Sequence, residues 1–336
     1  MRVLIIGGTR NLGPSIVQAL VERGMEVTIL NRGQTPDDLS PQIRRLRANR
    51  TDSSQLKAAL GAHEFEVVID TTLYTGPEAQ AVVEVFSGRV LRYIFLSTGQ
   101  VYLLRTGLQR PFKESDYSGP VMAEPPRDHN IDYQNWLYGH DKRQAEDVFA
   151  AAWAKSRFPY TSLRLPMVHS ERDHYHRIHG YVRRLQDGGP ILVPEGPSLP
   201  IQHAYGQDVV QAILRLLESD KGKGEAYNIG QNESVSLEQF LQMLAGFIDA
   251  PLKILRVPRE KLEKAGLLPD CSPFSGRWMS ALDNTRSKAE LRIEYTPFAV
   301  YLEKLARFFV RAPHRDFEEY SRREDELALV RSLGAQ

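Results

Sequence analysis

The chain has 336 residues, with 43 Lys and Arg against 42 Asp and Glu, and the resulting net charge of +1 argues against holding nucleic acid or an anionic membrane through bulk charge. Hydrophobic residues at 42% and charged residues at 25% exclude a mostly disordered chain, and the single cysteine, Cys271, excludes an internal disulfide framework and any multi-cysteine zinc site. No apolar run approaches the roughly 20 residues that span a bilayer, and glycine at positions 7 and 8 comes too early for a signal-peptide core, so a cytoplasmic protein with a small-molecule partner is expected.

The first 165 residues alternate strand-like and helical stretches. Val3 to Ile6 is a continuous apolar run ended by glycines, as expected of a strand buried on both faces. Apolar residues recur at helical spacing from Leu12 to Val21, and Gly24 ends that helix. Strands follow at Val27 to Leu30 and, more weakly, Arg44 to Ala48; a short helix over Leu56 to Leu60 comes after Asp52 and Ser53, both suitable caps. Val67 to Ile69 reads as a strand, Glu78 to Phe86 as a helix and Tyr93 to Leu96 as a fifth strand. Residues 103–135, with Pro111, Pro120, Pro125 and Pro126, read as a long loop, of the kind that often serves as a lid or binding segment. A helix is expected over about 132–155 and a strand at Thr161 to Leu165.

Repeated β-α units predict an α/β fold, a Rossmann-type doubly wound parallel sheet with a smaller mixed α/β C-terminal lobe. Residues 1–165 with about 203–230 form the expected dinucleotide-binding domain; 166–202 with 231–312 form the lobe, and 313–336 a charged helix or tail. Within the later regions, helices are expected near 206–218, 236–248 and 298–310, with β-like pieces around Tyr227 and Ile254.

The turn Gly7-Gly8-Thr9-Arg10-Asn11-Leu12-Gly13 lies between the first strand and first helix. Glycine there lets the backbone bend tightly and approach a pyrophosphate, whose charge the helix N-terminus favours. Gly7 and Gly13 hold the outer positions, but Arg10 and Asn11 stand where a middle glycine is usual; the alternative is a plain tight strand-helix turn. The second strand ends Leu30-Asn31-Arg32-Gly33, without the acid that an NAD site uses to bind the adenosine ribose. Arg32, with Arg10 in reach, suits a ribose 2′-phosphate, so NADP is favoured over NAD; the alternative makes both arginines ordinary solvated surface. Asp52 is placed either to meet the adenine amino group or only to cap its helix.

Tyr138 and Lys142 stand four residues apart on one helix face, where an ammonium lowers a phenol's pKa from its free value of about 10. A hydroxyl at the end of the fifth strand, Thr98 in Ser97-Thr98-Gly99-Gln100-Val101-Tyr102, can donate to a substrate carbonyl beside that tyrosine, although strands also end in Thr for local reasons.

These motifs, with Leu163-Arg164-Leu165-Pro166, Asp208-Val209-Val210, Tyr227-Asn228-Ile229-Gly230 and Lys288-Ala289-Glu290-Leu291, resemble the extended or atypical short-chain dehydrogenase/reductases of the NAD-dependent epimerase/dehydratase family. The Gly-Gly-Thr-Arg turn with Asn31-Arg32-Gly33 is most similar to the branch containing chloroplast stem-loop-binding proteins and their bacterial relatives. The resemblance implies that Tyr138 is the general acid/base, that Thr98 orients the reacting oxygen, and that Lys142 holds the nicotinamide ribose and depresses the tyrosine pKa. It extends the expected cofactor contacts to Thr9, Leu12, Thr71 and Pro166, and suggests Tyr74, Gln100, Met167, His169 and Arg277 for the substrate. A homodimer is compatible with it. The implied reaction interconverts hydroxyl and carbonyl on a sugar nucleotide or a natural-product ketone by hydride transfer. Family dehydratases place Asp-Glu after the hydroxyl residue; Gly99 and Gln100 stand here, which disfavours dehydration.

His169, His174, His176 and His179 crowd one segment, but the interleaved charges and absence of cysteine favour a polar pocket wall over a metal site. Arg44, Arg45, Arg47 and Arg50 form a basic run that carries the alternative, a non-catalytic nucleotide- or RNA-binding protein on the same fold; it reads equally as a solvated edge or as serving the cofactor's 2′-phosphate, and without interleaved aromatics nucleic acid is the weaker expectation.

Overall fold

Strand side chains alternate between the two faces of a sheet, so a strand apolar at every position must be covered on both. The computed structural model, which describes residues 1–128, 130–312 and 317–334, has this arrangement in its central sheet. The elements run β1 (Arg2–Ile6), α1 (Gly13–Glu22), β2 (Glu26–Asn31), β3 (Arg44–Arg47), α2 (Ser53–Leu60), β4 (Val67–Asp70), α3 (Gly76–Phe86) and β5 (Arg92–Thr98). Next come α4 (Gln100–Leu103), a 3-10 turn at Glu114–Tyr117, α5 (Asn130–Ser156), β6 (Tyr160–Leu165), β7 (Val168–His169), α6 (Arg177–Gln186) and β8 (Ile191–Pro194). Then follow β9 (Ala204–Tyr205), α7 (Gly206–Leu217), β10 (Glu225–Asn228), α8 (Leu237–Phe247) and β11 (Ile254–Val257). The chain continues through α9 (Arg259–Lys264), α10 (Thr285–Leu291), α11 (Phe298–Arg311), α12 (Glu318–Ser321) and α13 (Arg323–Ser332).

The chain divides into two compact units: 1–168 with 203–230 and 280–295, and 169–202 with 231–279 and 296–336. In the first, seven parallel strands lie in the order β10-β6-β5-β4-β1-β2-β3. Along β1, Val3 and Ile5 join the cluster under α1 and α7, whereas Leu4 and Ile6 join the cluster under α2, α3 and α5. The order reverses between β1 and β4, and the carboxyl ends of the strands beside that point form the crevice where doubly wound folds bind ligands. In the second unit, β8 and β11 pair in parallel. Its centre is aromatic: the Tyr181, Phe240 and Phe298 rings surround Phe274 or one another at centroid distances of 5.1–6.1 Å.

Two domain boundaries differ from the sequence expectation. Residues 280–295 fall in the first unit, because Leu291, Ile293 and Tyr295 enter the sheet core and Ser287 Oγ donates to Asn228 O of β10. The C-terminal stretch is no separate tail: α13 falls in the second unit, where Val330 joins the core beside Leu192 and Val257. Residues 313–316 and 335–336 of that expectation lie outside the described residues. The predicted loop 103–135 contains the 3-10 turn and the first turns of α5, and it is pinned by a cluster of Val101, Tyr102, Phe112 and Leu282. That anchoring pairs residues far apart in sequence, as in the Phe112–Leu282 bridge, so local periodicity does not reveal it.

Candidate active site

The glycine turn after β1 has the conformation its residues predict. Gly7 has φ +97°, and a Cβ there would lie 2.3 Å from Thr71 Oγ1; a Cβ on Gly13 would lie 2.4 Å from the Gly8 backbone. The missing middle glycine is offset by Asn11, which adopts φ 48°, a region Asn enters more readily than most side chains. Gly13 N donates to Arg10 O at 2.9 Å. The first turn of α1 has neither a side-chain cap nor an acid, whereas α2, α3 and α8 are capped by Asp52, Thr75 and Ser236. Uncapped N–H groups behind glycines that exclude a Cβ fit a dinucleotide pyrophosphate. Thr71, after β4, ties the two strand ends together, its Oγ1 and backbone N both donating to Ile6 O at 3.0 Å.

At the end of β2 the half-buried Asn31 amide accepts from Gly33 N at 2.9 Å and from Arg47, and donates to Gly7 O at 3.4 Å. Arg10 and Arg32 are exposed. Asp52 uses its carboxylate as a helix cap, with Oδ1 accepting from Ser54 N and Gln55 N at 3.0 Å and Oδ2 from Gln55 Nε2 at 2.8 Å.

On α5, Lys142 is buried and its Nζ donates to Leu73 O at 2.5 Å and Leu96 O at 2.8 Å. Burial pushes this ammonium down to about 7, with the Asp70 carboxylate opposing the shift. The Tyr138 ring, on the same helix face, is centred 5.9 Å from Nζ and is partly exposed. Thr98 is buried at the end of β5 and its Oγ1 accepts from Gln100 N at 3.2 Å. Gln100 Nε2 then donates to Asn135 Oδ1 at 2.6 Å, joining α4 to α5. Gly139 permits this approach, since a Cβ would lie 2.4 Å from Leu104 Cδ1 and 3.0 Å from Gln100 O. Thr98, Tyr138 and Lys142 are thus gathered where the C-terminal end of β5 meets α5.

Two buried polar networks supporting this edge were not anticipated from sequence. Arg50 pairs with Asp70 at 2.8 Å and Glu78 at 3.3 Å, and Tyr93 OH donates to Asp70 Oδ2 at 2.6 Å. On the other side, Arg164 is bidentate to Glu146 and donates to Tyr102 OH at 2.7 Å, while Ser97 Oγ donates to Glu146 Oε1. The one sequence signal was an acid, Asp70, closing an otherwise apolar strand.

The basic run is largely committed within the fold. Arg45 makes a bidentate pair with Asp37 at 2.8 and 2.9 Å, holding that carboxyl below its ordinary range, and Arg50 is the buried partner just described. Of the suggested substrate residues, Tyr74 flanks Lys142 and Tyr138, Gln100 bridges the helices, and Met167 lies in the first unit with its carbonyl accepting from Ala204 N. Pro166 is buried after β6. His169 and Arg277 belong to the second unit, His169 edge-on to Phe274 and Arg277 over Trp278 at 5.2 Å. His179 is stacked on Phe309, and burial pushes its imidazole down to about 4. Among the described residues no three His, Cys, Asp or Glu side chains are grouped to hold a metal, and no helix is long and apolar enough to cross a membrane.

A family model described as the NAD dependent epimerase/dehydratase family matches residues 79–230, a span that includes Thr98, Tyr138 and Lys142. Over that span the chain is similar to this family. It is 26% identical over 250 residues to the chloroplast stem-loop binding protein of 41 kDa b of Arabidopsis thaliana, a match covering 70% of this chain and 60% of that protein, under two thirds of its length. It is 24% identical over 291 residues to the 2′-dehydrokanamycin reductase of Streptomyces kanamyceticus, covering 84% of this chain and 77% of the reductase. Among solved structures, a UDP-glucose 4-epimerase of Thermotoga maritima with UDP-glucose superposes with a TM-score of 0.73 at 19% identity, covering 93% of this chain and 99% of the epimerase. The UDP-glucose 4-epimerase of Thermus thermophilus, complexed with NAD, gives 0.72 at 18% identity, covering 93% of this chain and 100% of that one. At such identities the structures establish the fold alone: an α/β, Rossmann-type parallel sheet.

Proposed function

We propose that this chain is a member of that family, an NADP-dependent oxidoreductase or epimerase that interconverts hydroxyl and carbonyl on a sugar nucleotide or a natural-product ketone. The observation that carries the reading is the Tyr138–Lys142 pair, whose Lys142 Nζ donates to Leu96 O two residues before Thr98 on β5, in the sheet that also carries the glycine turn's β1. Gly7, Thr9, Asn11, Leu12 and Gly13 would hold the pyrophosphate, Arg32 with Arg10 the 2′-phosphate, and Lys142 the nicotinamide ribose. The bound dinucleotide supplies or accepts the hydride.

In the reducing direction, the Tyr138 phenol gives its proton to the carbonyl oxygen as that oxygen gains charge, and Thr98 Oγ1 donates a hydrogen bond to the same atom. The buried Lys142 ammonium stabilises the phenolate left behind. The wall after Thr98 has no group able to shuttle a proton for water loss: Gly99 abuts Ser280, and Gln100 is engaged with Asn135. That favours carbonyl reduction or epimerisation over dehydration. Similarity to the 2′-dehydrokanamycin reductase over 84% of the chain supports the same reading. The stem-loop-binding relative supports an RNA reading, but Arg45 and Arg50 are held in ion pairs within the fold.

The test is Tyr138→Phe assayed with a panel of keto-sugars and NADPH. Turnover should fall at least about 100-fold while cofactor affinity stays within a factor of two or so. Undiminished turnover would overturn the mechanism.

A further inference from the structure

We infer that Tyr74 is a positioning residue for Lys142, its ring forming one wall of an aromatic cage that keeps the ammonium charged and aimed along the end of β5. The inference rests on the catalytic reading of Lys142 above. Nζ lies 4.6 Å from the centroid of Tyr74, 4.7 Å from Phe95 and 5.9 Å from Tyr138, so three ring systems surround one cation. Two consecutive residues of one loop serve it, since Leu73 supplies a carbonyl acceptor and Tyr74 the ring. The Tyr74 ring also meets Tyr138, with centroids 6.2 Å apart. Tyr74 thereby touches both members of the pair at once.

The loop is held firmly. Tyr74 N donates to Glu78 Oε2 at 2.7 Å, Thr75 and Glu78 form a reciprocal cap at the start of α3, and Arg50 anchors Glu78 from beyond β3 at 3.3 Å. An ammonium that is 3% exposed has lost its hydration shell, and two carbonyls replace part of it. The negative faces of the rings supply more, and a cation–π contact strengthens as water is excluded. The charged groups facing Lys142 are Asp70 on β4, Glu78 on α3 and Glu146 on α5, which favour its charge, and Arg50, which opposes it. Phe95 is fully buried in the sheet core, whereas Tyr74 is 47% exposed, so Tyr74 is the wall that substitution can remove without emptying the core.

The experiment follows Lys142 directly, by ¹³Cε-lysine NMR titration of the cofactor-free protein, with its resonance assigned by loss in Lys142→Met. Tyr74→Leu should lower the protonation midpoint of Lys142 by roughly one pH unit, a tenfold change in the ratio of charged to neutral forms. Tyr74→Phe keeps the ring and should leave the midpoint in place; Tyr74→Trp enlarges the π face and should raise it. Should the Leu variant fail to fold, the Phe and Trp variants still decide the matter. An unmoved midpoint in Leu and Trp, or a Phe variant titrating like Leu, overturns the cage. The pH profile of kcat should move in Tyr74→Leu as the NMR midpoint does. If the midpoints move as expected and the wild type shows no hydride transfer, the cage stands and the functional reading fails, so the two failures are separable.

Discussion

In the proposed function, cofactor choice rests on a few atoms at the end of β2. Arg32 is exposed there, one residue past the strand, and the neighbouring Arg47 guanidinium lies against Asn31 and Gly33. A guanidinium can grip a phosphate through two parallel N–H···O bonds, while a carboxylate in its place repels the phosphate and accepts from ribose hydroxyls. Replacing Arg32 by Asp should therefore weaken NADP relative to NAD by about tenfold or more, judged from the ratio of the two kcat/KM values. A ratio unmoved by the substitution would remove Arg32 from the cofactor reading. The sequence made this residue visible because the signal is local: an arginine where an acid is usual, directly after a strand. Tyr138 and Lys142 are legible for the same reason, since helical spacing alone puts them on one face. Arg50 shows the opposite case. Read along the chain it is one more member of a basic run, yet its partners Asp70 and Glu78 lie 20 and 28 residues away, and only the sheet brings them together.

Helices and strands differ in how far local pattern reveals them. Strands β1, β4 and β5 of the central sheet are largely apolar runs between turn residues, whereas β3 (RRLR) and β10 (EAYN) are not, so the middle of the first unit is more readable than its edges. In α6 the case is different, because His, Arg and Gly dominate Arg177–Gln186 and mask the stripe of Ile178, Tyr181, Val182 and Leu185 that is buried. Its pairing with α13 is less visible still. Glu326, 1% exposed on α13, accepts from Arg184 Nε at 3.0 Å and from Arg323 Nη1 at 2.8 Å, and Arg323 also holds Asp187 at 2.8 Å. A helix that reads as alternating surface charge is in fact an ion-paired clasp inside the second unit. Glu326→Ala removes the carboxylate that balances the buried Arg184 guanidinium and leaves it the Gly180 carbonyl, at a cost of about 3–5 kcal/mol. Hydrogen exchange should show α6 and α13 amides losing protection, and the paired change Arg184→Met with Glu326→Leu should recover much of it. Unaltered protection in Glu326→Ala would show that the clasp contributes little.

For the molecule as a whole, near-neutral net charge places the pH dependence of stability on individual buried groups, and the two units carry groups of opposite consequence. In the second unit, burial and the charges of His176 and Arg183 lower His179 from 6.5 to about 4. Between those values the unfolded chain binds the proton and the folded one does not, so stability falls as pH drops from 6.5 towards 4. In the first unit, burial lowers Lys142 from 10.5 to about 7. From 7 to 10.5 the unfolded chain again binds more protons, so this group lets stability rise with pH, and its full penalty applies below about 7. Above about pH 10 the trend is opposed by phenols such as Tyr93 and Tyr102, which burial keeps protonated in the fold while the unfolded chain ionises. Each single group sets a slope of at most about 1.4 kcal/mol per pH unit. Denaturant titrations of two variants separate the contributions. His179→Phe should flatten the loss between pH 6.5 and 4 and leave the neutral-to-alkaline side as it was. Lys142→Met should remove the rise between pH 7 and 10, so that the wild type gains on the variant throughout that window. A difference between wild type and Lys142→Met that stays constant from pH 7 to 10 would mean that Lys142 keeps its ordinary titration inside the fold. The ammonium would then not be the desolvated group on which the proposed site depends.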